Sequence, residues 1–395
     1  MQKYHKCFYL SFPRKPAYSI YILTGLLIWI GIFIPGGCCR KEPIRVGFVA
    51  ELTGRQPELG VQERNGVQMA VEKINASGGV AGRQIKLIIR DDLGTPDGAR
   101  AADRELVEAG VVAIIGHATS GQTVAGLPMA DSAHVVMLSP STSTTELSNK
   151  DDCFFRTAQS LFDRANGLAG HICQLRGVTR LAVIYDTSNA AYVQSYRKAF
   201  AHGYSGVGGR IVAETGFSSI ERPDFNSLLA RLRASGAEGL LIIASDNDTA
   251  LISQRVRLMG WKASLFTSAW AQTETMIKNG GIAVEGIEFE QAYAMASQSP
   301  AFLDFRARYQ ERFGRTPSFG AALGYEAAAV LATALQKTRG KAAGLKEALL
   351  EIKDFQGLVD TFSFDKYGDV MRPFYLGAVR DGKFVDLGRF EPSRQ

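Results

Sequence analysis

From Ile44 onward, short runs rich in valine and isoleucine alternate with longer stretches of helical period. Strands buried on both faces need helices to cover them, so this alternation implies a parallel sheet crossed by helices, an α/β fold. The runs Ile44 to Ala50, Ile85 to Arg90, Val111 to Ile115 and Val135 to Leu138 read as one set of strands. Leu181 to Tyr185, Arg210 to Glu214, Gly239 to Ile243 and Ser264 to Thr267 read as a second set. Helices are expected near Gly60 to Ala76, Tyr192 to Phe200, Asp224 to Ala234 and Thr249 to Met259. A chain of 395 residues, 46% of them hydrophobic, is too long for a single core and suits two. No low-complexity linker separates the two series, so the chain is expected to cross between two lobes more than once and form a hinge.

The N-terminal stretch differs in kind. Lys3, Lys6, Arg14 and Lys15 precede an uncharged apolar run from Ala17 to Ile34, the layout of an export signal. Gly36-Gly37-Cys38-Cys39 follows and resembles the lipobox of bacterial lipoproteins, which makes Cys38 the expected lipidation site; a retained signal anchor is the alternative. Without this leader the formal charge falls from +6 to about +2, which argues against nucleic acid as a partner. Cys153 and Cys173 remain, either as a disulfide or as two buried thiols.

Several segments resemble the type I periplasmic binding proteins, in the leucine/isoleucine/valine-binding branch: IRVGFVAELTG (44–54), NGVQMAVEKINASGGVAGRQIKL (65–87), RDD (90–92), VVAIIGHATSGQT (111–123), MLSPSTSTTEL (137–147), FFRT (154–157) and YEAAAVLATAL (325–335). The resemblance implies two Rossmann-like lobes with parallel-sheet cores joined by three crossovers, and a ligand cleft that closes between them. It places lobe 1 at 43–160 plus 292–361 and lobe 2 at 161–291 plus 362–391, behind a leader at 1–38. It also implies capture of an amino acid of the branched-chain type, or a related small carboxylate, for delivery to the permease of an ABC importer. Membrane attachment would come from the leader, and no cofactor or metal is implied.

Ligands of open α/β sheets sit beyond the strand ends, where helix N-termini offer free N–H groups. The stretch Gly116 to Gly121 provides such an end, with Ser120 as the leading carboxylate contact; a plain helix cap is the alternative. The loop Ser139 to Thr144 matches the family loop that holds the ligand, which carries the site to Thr142 and Ser143. Tyr192 is expected to present an aromatic ring, although the family's tyrosine aligns nearest Ala190. Asp246 is a candidate for a ligand ammonium, or else a helix cap. At Trp270 the chain departs from the branched-chain binders, which resemblance says carry an acidic residue near there; an indole stacks on a planar ligand or packs the hinge. Leu59 and Tyr325 complete the set.

Enzymatic alternatives lack their chemistry. The turn Glu51 to Gly54 has no Gly-x-Gly-x-x-Gly pattern, and no Gly-x-Ser-x-Gly elbow, P-loop or His-Glu-x-x-His motif occurs. His117, His134, His171 and His202 lack ligand spacing, and Asp91-Asp92 reads best as a polar pair closing a strand. A receptor domain that senses its ligand, and a binder of aromatic acids or amides, remain the rival readings.

Overall fold

The computed structural model describes residues 41–54, 56–221, 223–291 and 293–391; the leader and Cys38 lie outside the described residues. The first sheet contains β1 (Ile44–Ala50), β2 (Ile85–Asp91), β3 (Ala113–Gly116), β4 (Val136–Ser139) and β5 (Phe154–Arg156), all parallel, in the order β2-β1-β3-β4-β5. In β1 every residue except Arg45 is buried, as a strand covered on both faces requires. Helices Glu58–Ala76 and Phe319–Lys337 cover one face, with Val67, Ala70, Val330 and Leu331 meeting Phe48 and Ile115 in one core.

The second sheet is built on β6 (Arg180–Asp186), β7 (Arg210–Phe217), β8 (Gly239–Ile243), β9 (Ser264–Thr267) and β10 (Glu288–Gln291). A small antiparallel ribbon follows, β11 (Phe355–Gln356), β12 (Thr361–Phe364) and β13 (Val370–Met371). Then β14 (Phe374–Arg380) and β15 (Lys383–Phe390) return as an antiparallel edge, giving the order β15-β14-β10-β9-β8-β6-β7. Two α/β lobes result, and the chain passes between them after β5, after β10 and after β13.

The last passage corrects the boundary expected at 361/362. Phe362, Phe364 and Val370 pack in the core of the first sheet, and the Phe364 ring meets Phe155 edge-on at 5.4 Å. Alternate side chains of a strand share a face, so the inward pair Phe362 and Phe364 ties the whole ribbon to the first lobe. Cys153 and Cys173 are free, buried thiols in different lobes, which removes the disulfide alternative here. Among the described residues, no helix is long and apolar enough to cross a membrane.

Candidate functional site

In each sheet the strand order reverses beside a central strand, at β1 and β3 in the first and at β6 and β8 in the second. The crevice at such a point is where an α/β sheet receives ligands. The turn leaving β3 runs hard against β1: Gly116 has φ +141°, and a Cβ there would lie 2.1 Å from the Val49 carbonyl oxygen. Glycine therefore sets the path that brings helix Ser120–Ser132 to the crevice with its N-terminus foremost.

The first turn of that helix has N–H groups without intrahelical partners. Ser120 Oγ accepts hydrogen bonds from the backbone N–H of Ser143 (3.4 Å) and Thr144 (3.3 Å), which leaves its own proton to give. Gly121 N–H donates to Asn189 Oδ1 at 3.1 Å across the cleft. Leu59, Ser120, Ser141 and Ser143 form one wall of a cavity and Arg164, Asn189, Tyr192 and Trp270 the other, with Phe319 at the side. The empty space between these walls, counted together with the open solvent at its mouth, is about 360 Å³.

Of the residues expected from sequence, Leu59, Ser120, Ser143, Tyr192 and Trp270 meet in this cavity. Three do not line it. Thr142 is buried behind the loop, its hydroxyl 2.5 Å from Thr123 Oγ1 and 3.3 Å from the His117 carbonyl. Asp246 accepts a hydrogen bond from Thr273 Oγ1 at 2.6 Å and one from Asn247 N–H at 2.7 Å, so its carboxylate is a tie inside the second lobe. Tyr325 packs edge-on against Phe305, with its hydroxyl 3.1 Å from Lys73 Nζ. Phe319, at the start of the same helix, reaches the cavity instead.

Arg164 is the principal residue that sequence reasoning passed over. Its Nη1 pairs with Glu290 Oε2 at 3.1 Å, both side chains buried, and Glu290 Oε1 accepts the Ala269 N–H at 2.9 Å. Burial raises the Glu290 pKa against the attraction of Arg164. A signal existed: Arg164 sits on the buried stripe of helix Leu161–Gly170 with Leu161, Ala165 and Leu168, where a charged side chain requires a partner. The Tyr192 and Trp270 rings meet at 5.5 Å and 65°, completing the wall above this pair.

Behind the opposite wall lies a second buried polar group. His117 Nδ1 is 2.6 Å from Asp92 Oδ2 and its Nε2 is 3.0 Å from Asp103 Oδ2. Burial alone would lower the imidazolium pKa, but Asp103 and Asp92 outweigh it and carry it up to about 10. Helix Ser120–Ser132 makes room for this triad with Gly126, whose Cβ would fall 2.0 Å from Asp103 Oδ2. Asp91 is fixed separately, accepting from Leu52 N–H and Leu93 N–H at 2.9 Å each. The histidine is thus structural, and among the described residues no group of histidine, cysteine and carboxylate side chains is placed to hold a metal.

The lobes also touch around the cavity. Thr144 Oγ1 lies 2.7 Å from Ser195 Oγ and donates to the Ala191 carbonyl at 3.0 Å, while Gln56 Nε2 reaches Ser219 Oγ at 3.4 Å.

This two-lobed fold with its interlobe cavity is that of the periplasmic binding proteins, and the chain belongs to that family: residues 43–383 match the family described as "Periplasmic binding protein". A Leu/Ile/Val-binding protein homolog 3 of Brucella melitensis is 25% identical over 350 residues, covering 87% of this chain and 93% of its own length. The structure of the leucine binding protein LivK from Thermotoga maritima superposes with TM-score 0.82 at 22% identity, covering 88% of this chain and 99% of that one. A solute binding protein of an ABC transporter from Rhodopseudomonas palustris, in complex with 3,4-dihydroxy benzoic acid, gives TM-score 0.80 at 23% identity over 88% of this chain and 97% of its own.

Proposed function

We propose that the chain is the extracytoplasmic substrate-binding component of an ABC importer, taking a small carboxylate into the interlobe cavity and releasing it unchanged. The observation that carries this reading is the helix N-terminus at Ser120, where a hydroxyl with a proton to give faces the cavity at the positive end of the helix dipole. The summed peptide dipoles of the helix favour an anion there. The carboxylate is bound by Ser120 and Ser143, and Leu59, Phe319, Tyr192 and Trp270 enclose the apolar body. Closure of the second lobe over the bound ligand then marks the loaded state for the permease. Export by the N-terminal leader and acylation at Cys38 tether the protein to the outer face of the membrane.

The relatives' names support an amino acid of the branched-chain type as ligand. A second reading, an aromatic carboxylate, is favoured by the lining itself. Among the described residues, three aromatic rings line the cavity and no carboxylate side chain does to meet an ammonium. A thermal-shift panel of aliphatic amino acids, amides and aromatic carboxylates separates the two, since a ligand that binds only the native state raises the melting temperature. A rise with L-leucine supports the first reading, a rise with benzoate the second; no rise with any carboxylate counts against both.

A further inference from the structure

Glu63, on helix Glu58–Ala76, is fully buried directly behind the cavity wall. Its Oε1 is in short contact with Ser141 Oγ, and Ser141 Oγ is also 2.6 Å from the Ala118 carbonyl oxygen. Ser141 and Ala118 both line the cavity. A serine hydroxyl has one proton and the Ala118 carbonyl can only accept. If Glu63 were ionised, one of these two oxygen contacts would have no proton in it. Both are satisfied when Glu63 carries a proton: Glu63 donates to Ser141, and Ser141 donates to Ala118. Glu63 Oε2 has no hydrogen-bond partner among the described residues, so nothing there compensates a carboxylate charge.

The surroundings agree. The titratable groups facing Glu63 are Asp92 and His117, with Asp103 on the far side of His117. Two carboxylates against one imidazolium already give a formal excess of one negative charge. Helix Phe319–Lys337 packs on Glu63 with Gly320 and Gly324, which bring none. Burial, aided by Asp92 and opposed by the hydrogen bond with Ser141 and by His117, pushes the Glu63 carboxyl up to about 8.

We propose that Glu63 is a positioning residue of the ligand site: its proton holds the Glu63–Ser141–Ala118 relay in the form that accepts an anionic ligand, and loss of that proton to solvent expels the ligand. The proposal rests on the reading of the cavity as a carboxylate site. On ionisation Ser141 turns its proton from Ala118 to Glu63, and a buried negative charge appears behind the wall that holds the ligand's own. Only the protonated fraction is then competent to bind, so the apparent affinity falls with that fraction, about tenfold per pH unit on the alkaline side.

The test is isothermal titration of L-leucine and of benzoate between pH 6.5 and 9 on the mature chain and on Glu63→Gln, whose amide donates to Ser141 without titrating. The expected result is a Kd that is flat at the acid end and weakens steeply above about pH 8 in the unsubstituted protein, and no such slope in Glu63→Gln. His117, carried up to about 10, keeps its charge over most of this range. A flat profile in the unsubstituted protein, or the same slope in Glu63→Gln, overturns the proposal. An infrared measurement on protein with 13C-labelled glutamate needs neither ligand nor a stable Gln variant. A carboxylic acid carbonyl band at pH 7 that vanishes by pH 9.5, and that shifts in Ser141→Ala, supports the relay; absence of the band at pH 7 overturns it. If neither probe binds at pH 7, the carboxylate reading fails, and the shift of the band in Ser141→Ala, which Glu290 does not share, still decides whether Glu63 holds its proton.

Discussion

Arg164 Nη1 lies 3.1 Å from Glu290 Oε2, and neither side chain has more than a trace of exposure. Removing one member of such a pair strands the other charge in a medium that cannot solvate it. Arg164→Ala should therefore cost about 3–5 kcal/mol of folding stability in urea denaturation, and the double variant Arg164→Met/Glu290→Gln should recover much of it. A loss of under 1 kcal/mol in the single variant would show that water reaches Glu290.

Ser120→Ala tests the anion end of the cavity. A hydrogen bond to a charged group contributes about 1.5–3 kcal/mol, so the affinity for the carboxylate identified by thermal shift should fall by about ten- to a hundredfold in calorimetric titration. The fold should survive, with a smaller penalty because the N–H groups of Ser143 and Thr144 lose their acceptor. Unchanged affinity would return Ser120 to the role of a helix-end residue that organises its neighbouring loop.

Trp270→Ala removes a ring whose centroid is 5.5 Å from that of Tyr192. Aromatic pairs add about 0.5–1.5 kcal/mol beyond their buried area. Binding of benzoate should weaken more than binding of L-leucine if the indole contacts the ligand. Equal changes for both would assign Trp270 to packing between the lobes.

Stability should decline with rising pH above neutrality. The folded-state pKa of His117 is raised from 6.5 to about 10, so its contribution is complete below 6.5 and is lost as pH climbs toward 10. Glu63, raised from 4.5 to about 8, acts with the same sign over a lower window, since the folded protein holds a proton that the unfolded chain has released. Chemical denaturation midpoints measured from pH 6 to 10 should fall steadily, and less so in Glu63→Gln between pH 6 and 8. A midpoint that rises over this range would contradict both assignments.

Cys153 and Cys173 belong to separate lobes and are buried. Neither thiol should react with a thiol reagent in the native protein, and both should react once it is denatured. A disulfide between these two, leaving neither reactive in the denatured protein, would mean that the lobes pack differently.

Most of the fold was legible because its strands are buried on both faces and so stand out as apolar runs. Gly239–Ile243 and Ser264–Thr267 fall where the sequence places them. The boundary at 361/362 cuts through the ribbon Phe355–Met371, because its two- to four-residue strands carry no signal of which sheet they will cover. For the cavity, small hydroxyl residues after β3 and β4 were readable from their place at strand ends. Thr142 and Ser143 were not separable, since which of two adjacent hydroxyls faces the cleft depends on the loop's path. Arg164 and Glu63 share one reason for being hard to read in sequence: each is an ionisable residue inside a helix, and only tertiary packing sets the partner it meets.

The ribbon also bears on how the protein is made. Because Phe362, Phe364 and Val370 belong to a core that begins at Ile44, the core of the N-terminal lobe is complete only when nearly the whole polypeptide has left the ribosome. Through most of synthesis that core lacks its last residues, and a lobe with an incomplete core is one that a translocation channel can still thread.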